Sequence, residues 1–108
     1  MKHSLFFFVL LFTLAGCDTA PDDKDLQALE APSQGQIAYE SNCISCHSNG
    51  INGAPIPGKP KMWASRIVQG VPVLIDHAIN GYGLMPAKGG KESMSDADVE
   101  AAVKYMIK

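Results

Sequence analysis

The chain has 108 residues, 46% of them hydrophobic and 19% charged, and a formal net charge of -2. That length holds one domain, and so balanced a charge excludes an electrostatic grip on nucleic acid. Three cysteines leave at least one outside any disulfide.

Lys2 and His3 precede an apolar run from Leu5 to Leu14. The run is shorter than the roughly 20 residues that cross a bilayer, and its layout is that of an export signal. Its end, Leu14-Ala15-Gly16-Cys17, resembles the lipobox of bacterial lipoproteins. That resemblance implies a signal peptide over 1–16, removed so that Cys17 is acylated and the chain is anchored on the periplasmic face. The alternative is an ordinary secretory signal that leaves Cys17 a free thiol. Asp18, directly after it, implies retention at the inner membrane by the same resemblance. Lys2 is the one charged residue of the leader, so the mature chain is more acidic than the whole. This argues against a purely electrostatic hold on anionic lipid.

From 17 to 32 the sequence is rich in Asp, Pro and Ala and poor in large apolar residues, and reads as a tether. Lys24 to Ala31 has room for a helical turn or two. A flexible segment of this length spans roughly 20 Å. The folded part is expected over 33–108.

No stretch there alternates apolar and polar residues with β-branched enrichment, so strands are not predicted. A first helix is expected from Gln34 to Asn42, followed by a loop over Ile51 to Pro60 broken by Gly53, Pro55, Pro57 and Gly58. A second is predicted over Lys61 to Gln69 with Gly70 just past its end. Val71-Pro72 starts a third, with proline in its first turn, ending at Asn80-Gly81. Gly81 to Gly90 reads as loop. The last helix begins at Ser95, with Asp98 three residues on in the manner of a capping box. Val99, Ala102, Val103 and Met106 form its buried stripe. The fold class is all-α, with four to five short helices. Helices this short are marginal alone, and so small a core calls for an additional organiser.

Cys43-Ile44-Ser45-Cys46-His47 is the attachment pattern for a c-type haem. Two thiols one helical turn apart can each bond one vinyl group of a porphyrin edge, and the next histidine is then placed to ligate the iron. A thioredoxin-like redox pair would need a strand before the motif. A zinc site would need a fourth ligand, from His77 or a carboxylate. Methionine as the other axial ligand favours electron transfer, and the mature chain offers Met62, Met85, Met94 and Met106. Met106 lies on the buried stripe; Met94 precedes a helix cap; Met62 is near a helix start. Met85 lies in the Gly81-Tyr82-Gly83-Leu84-Met85-Pro86 loop and is the expected ligand.

The stretch from Gly35 to Tyr105 resembles a class I cytochrome c, most nearly the bacterial cytochrome c5 type. The resemblance implies a cytochrome c fold with one covalent haem c, an electron-transfer protein rather than an enzyme. It implies that Gly35, Tyr39 and Tyr105 mark the crossing of the first and last helices. It also implies that Pro55 in Gly53-Ala54-Pro55 accepts the ring N–H of His47, and that Trp63 and Arg66 lie near the haem propionates. Lys91 stands where many relatives carry one cysteine of an extra pair, so the methionine loop lacks that clamp; Pro57 replaces a usual aliphatic residue. The expected partners are redox proteins of a respiratory chain, met through Ile44, Ala54, Pro86 and Ala87 with Lys59 and Lys88 at the rim. His77 reads as a partly exposed structural histidine. A haem protein with an open iron position, and a subunit docked permanently on one oxidase or dehydrogenase, are the rival readings.

Overall fold

The structure is a computed structural model and describes residues 31–108. The leader over 1–16, Cys17 and the tether to residue 30 lie outside the described residues. Ala31 and Pro32, the last of the expected tether, are exposed and carry no regular structure.

Helix α1 spans Gln34–Ala38, started by the Ser33 side chain, which accepts from the Gln36 N–H at 3.2 Å. It runs through a π-helical turn, Tyr39–Cys43, into α2, Ile44–His47. Then follow α3, Pro60–Ile67, α4, Val71–Asn80, and α5, Asp96–Met106. Prolines occupy the first turns of α3 and α4, where a missing N–H costs nothing. Helix α3 stops at Ile67, short of the expected Gln69. Its last turn runs on, with the Gln69 and Gly70 N–H groups bonding the Arg66 and Ile67 carbonyls at 3.1 and 2.9 Å, so Gly70 (φ 93°, ψ 144°) both closes α3 and is the corner from which α4 starts. Two stretches read as loop contain 3-10 turns, Ile51–Gly53 and Ala87–Gly90. Among the described residues there is no strand; Tyr82 and Met85 form one isolated antiparallel bridge. No described helix is long and apolar enough to cross a membrane.

Helices α1 and α5 cross in close contact because Gly35 carries no side chain. A Cβ there would lie 2.4 Å from the Ala101 carbonyl oxygen and 2.9 Å from Tyr105 Cβ. One turn further on, the Tyr39 and Tyr105 rings pack with centroids 5.5 Å apart, tilted by 42°. The α5 cap joins the same crossing. Ser95 Oγ accepts from the Asp98 N–H at 3.1 Å and donates to Asp98 Oδ2 at 2.7 Å. The other carboxylate oxygen accepts from Gln34 Nε2 of α1 at 3.0 Å. The core comprises Ala38, Tyr39, Trp63, Leu74, Ala78, Met94, Val99, Ala102, Val103 and Met106. No large side chain among the described residues is wholly sealed from solvent. Five of the core residues, Trp63, Leu74, Ala78, Val103 and Met106, wall a cleft.

Candidate haem site

The cleft has a volume of about 350 Å³. Cys43, Cys46, His47, Pro55, Trp63, Arg66 and Met85 all line it, together with Leu74, His77 and Ala78 of α4 and Val103 and Met106 of α5. Seven residues singled out along 43 positions of sequence thus share one concave wall.

The π-helical turn delivers the motif to this wall. Such widened turns concentrate at functional sites. Neither Cys43 nor Cys46 is in a disulfide; Cys43 is half-buried and Cys46 exposed. Burial pushes the Cys43 thiol up from its ordinary value, against smaller downward pulls from a backbone hydrogen bond and Lys91. A thiol held protonated is the opposite of the activated thiolate of a redox pair, and no strand leads into the motif. Nor do three His, Cys, Asp or Glu side chains gather anywhere among the described residues to share a metal ion, which counts against the zinc reading.

His47 is the one buried polar or charged side chain of the described residues, 7% exposed. Its Nδ1 lies 2.9 Å from the Pro55 carbonyl oxygen. A carbonyl can only accept, so the proton sits on Nδ1 and Nε2 keeps its lone pair for a ligand. Pro55 is itself buried, after a 3-10 turn entered through Gly50 at φ 69°. Backbone, not a mobile side chain, holds the imidazole.

Of the four methionines outside the leader, Met85 and Met106 line the cleft, whereas Met62 and Met94 do not. Met106 is buried in α5, and Met85 is half-buried at the end of a tight turn. Two reciprocal backbone bonds of 2.9 Å, between the N–H and carbonyl groups of Tyr82 and Met85, close that turn. Gly81 (φ 89°) lets the chain pass underneath; a Cβ there would fall 2.9 Å from the Ala87 nitrogen. The His77 and Tyr82 rings stack with centroids 4.1 Å apart. His77 is therefore a ring support for the turn, more specific than the structural role read for it from sequence. Leu84, at the tip, is 76% exposed.

Trp63 requires a correction. Its single indole donor goes to the Ile56 carbonyl oxygen at 2.9 Å, so the propionate contact expected of it is replaced by a bond inside the fold. The buried indole serves as a wall of the cleft. Arg66 donates from one terminal nitrogen to the Met62 carbonyl and stays half-buried at the cleft, leaving its other donors for an anionic group. Lys88, expected at the rim of the contact surface, is paired within the fold. Its ammonium lies 2.7 Å from Asp96 Oδ1 and donates to the Met94 carbonyl at 2.9 Å. Asn42, which sequence reasoning passed over, donates to the carbonyls of Lys88 at 3.0 Å and Gly89 at 3.1 Å. A polar residue beside a cysteine motif carries no signal for partners 46 and 47 residues away.

The donor set suits a covalently held haem. Two unpaired thiols, an imidazole with a free nitrogen and a soft thioether share one largely apolar cleft.

A family model described as cytochrome c oxidase, cbb3-type, subunit III, matches residues 30–106. Cytochrome c-555 of Chlorobaculum tepidum is 44% identical over 77 residues, covering 68% of this chain and 71% of the relative. Cytochrome c5 of Ectopseudomonas mendocina is 33% identical over 67 residues, covering 60% and 77%. Among solved structures, the chain is similar to one in an electron transfer complex of nitrite reductase with cytochrome c. That likeness has a TM-score of 0.65 at 35% identity and covers 72% of this chain and 95% of the other. These relatives are electron-transfer proteins with one covalent haem c, not enzymes. Cleft, motif and relatives agree, and the chain belongs to the small class I c-type cytochromes.

Proposed function

We propose that the protein is a one-electron carrier whose single haem is bonded through Cys43 and Cys46 and ligated by His47 and Met85. The observation that carries this reading is the presence of all four side chains on one cleft, with His47 Nδ1 committed to Pro55. The chemistry supplied by the bound group is a one-electron iron couple. The chain's part is to keep both axial side chains in place in either oxidation state. His47 is braced by a backbone carbonyl and Met85 by a doubly bonded turn. With both iron positions filled there is no site for a small substrate. In this reading Arg66, which lines the cleft and has donors to spare, meets a propionate.

The test is spectroscopic. The purified oxidised protein should show the weak far-red methionine-to-iron band, and the reduced protein should not take up carbon monoxide at neutral pH. Met85→Ala should abolish the band and bind carbon monoxide readily. Rapid carbon monoxide binding by the unsubstituted protein would favour the rival with an open iron position.

In this reading the chain is exported, cut before Cys17 and held by lipid on the periplasmic face, at the inner membrane. A lipid-modified mass for the mature N-terminus, lost in Cys17→Ser together with membrane association, tests the anchor. Its partners are larger redox proteins, met transiently. The nitrite reductase complex of the similar structure is an instance of such pairing for that protein. The family model's description names an oxidase subunit instead. Stoichiometric co-purification with one large complex would favour that permanent association.

A further inference from the structure

The methionine loop leaves the cleft through Pro86, Ala87, Lys88 and Gly89, and no disulfide involves the described cysteines. We infer that Asn42, immediately before the first haem-bonding cysteine, is a positioning residue that clamps this loop and so sets how firmly Met85 is held at the iron. The inference rests on the ligation reading for its consequence at the metal, but on the hydrogen bonds alone for the clamp.

Three observations carry it. The Asn42 amide nitrogen bonds two successive carbonyls, those of Lys88 and Gly89. Both partners are acceptors, so only the –NH2 side of the amide can face them. The chain is shaped to receive that group. Lys88 and Gly89 hold φ values of 52° and 61°, successive left-handed residues, and for lysine that conformation is unusual. A Cβ on Gly89 would lie 2.7 Å from the same amide nitrogen, so the bare glycine is what admits it. Finally, the loop is fastened on its far side as well. The Lys88 ammonium spans the Met94 carbonyl and Asp96 Oδ1, tying it to the start of α5. The segment is thus pinned between the helix that bears the thiols and the helix that closes the cleft.

Hydrogen exchange of the holoprotein tests the clamp directly. Asn42→Asp keeps the shape and turns a donor into an acceptor facing two carbonyls; Asn42→Ala removes the group. Both should speed exchange at the Gly89 and Lys91 amides by about tenfold, the worth of a hydrogen bond or two, with Asn42→Asp the faster. Exchange within α5 should stay unchanged. Because an outside ligand binds only when the loop opens, imidazole should bind the oxidised iron more tightly by the same factor. Unchanged loop exchange, or equal acceleration throughout α5, would overturn the clamp. Should Asn42→Asp fail to mature, Gly89→Ala alone and combined with Asn42→Ala decides the question. The clash with the amide predicts that Gly89→Ala does less harm once the amide is gone, and strictly additive effects would count against the proposal. If the unsubstituted protein lacks the far-red band, the ligation reading falls and loop exchange alone judges the clamp.

Discussion

The Ile56 carbonyl takes two donors, the Trp63 indole N–H at 2.9 Å and the Lys59 amide at 3.2 Å. Trp63→Phe removes one and leaves the acceptor still bonded. The expected loss is therefore about 1 kcal/mol, below the penalty of an orphaned carbonyl. Denaturant melts of the holoprotein would measure it; because the indole donor is spent within the fold, the reduction potential should barely move. The cysteine and histidine positions were legible in the sequence because the chemistry needs them contiguous within one helical turn. Met85 was separable from Met106 by helical spacing, which marks Met106 as core. The Asn42 contacts and the His77–Tyr82 stack were not legible. Each joins segments whose approach is decided by the tertiary fold, and no local spacing encodes it.

At the scale of elements, the α1–α5 crossing depends on Gly35, where a Cβ would strike backbone. Gly35→Ala puts a methyl group against the Ala101 backbone, which cannot swing aside as a side chain tip can. The helices must separate, and a cost of about 1–3 kcal/mol is expected, read as a lower melting midpoint. The cap of α5 gives a pH dependence. Hydrogen bonds from Ser95 and then Gln34 hold the Asp98 carboxyl below its ordinary value of 3.8. A depressed folded-state pKa means the contribution is full above that ordinary value and fades as pH falls through the lower, folded one. Asp98→Asn should therefore lose stability at neutral pH and show a shallower loss on acidification, measured by melts at both ends of that range. Helix α5 was the most readable element, since cap, charges and apolar stripe all agree along it. Gly70 serves two elements at once, closing α3 and opening α4, and only the first role was legible from its place after a helical pattern.

At the largest scale, the described residues, 31–108, form a thin shell of five short α-helices around a cleft. Short helices do not hold themselves, and among the described residues no large side chain is wholly sealed from solvent. The bound group is expected to serve as the missing core, so that its attachment and the chain's folding are linked. Replacing both Cys43 and Cys46 by alanine should give a chain without a cooperative melt or fixed near-ultraviolet dichroism. A sharp thermal transition in that variant would separate folding from haem attachment. Fold class was legible from the absence of strand patterning and from helix punctuation. The cleft's walls were not, because Leu74, Ala78 and Val103 read as ordinary apolar positions until the helices are assembled.

The widened turn from Tyr39 to Cys43 has one more consequence. A π turn takes up an additional residue while the helix on either side keeps its heading. The rod from Ser33 to His47 thus carries one residue surplus to its winding, at a stretch where Glu40 and Ser41 face solvent. Shortening the chain there by Ser41 would tighten the turn to regular α winding and leave the glycine crossing and the thiols looking the same way. Shortening it by one residue on either side of the turn, where no slack exists, would rotate them apart by roughly 100°.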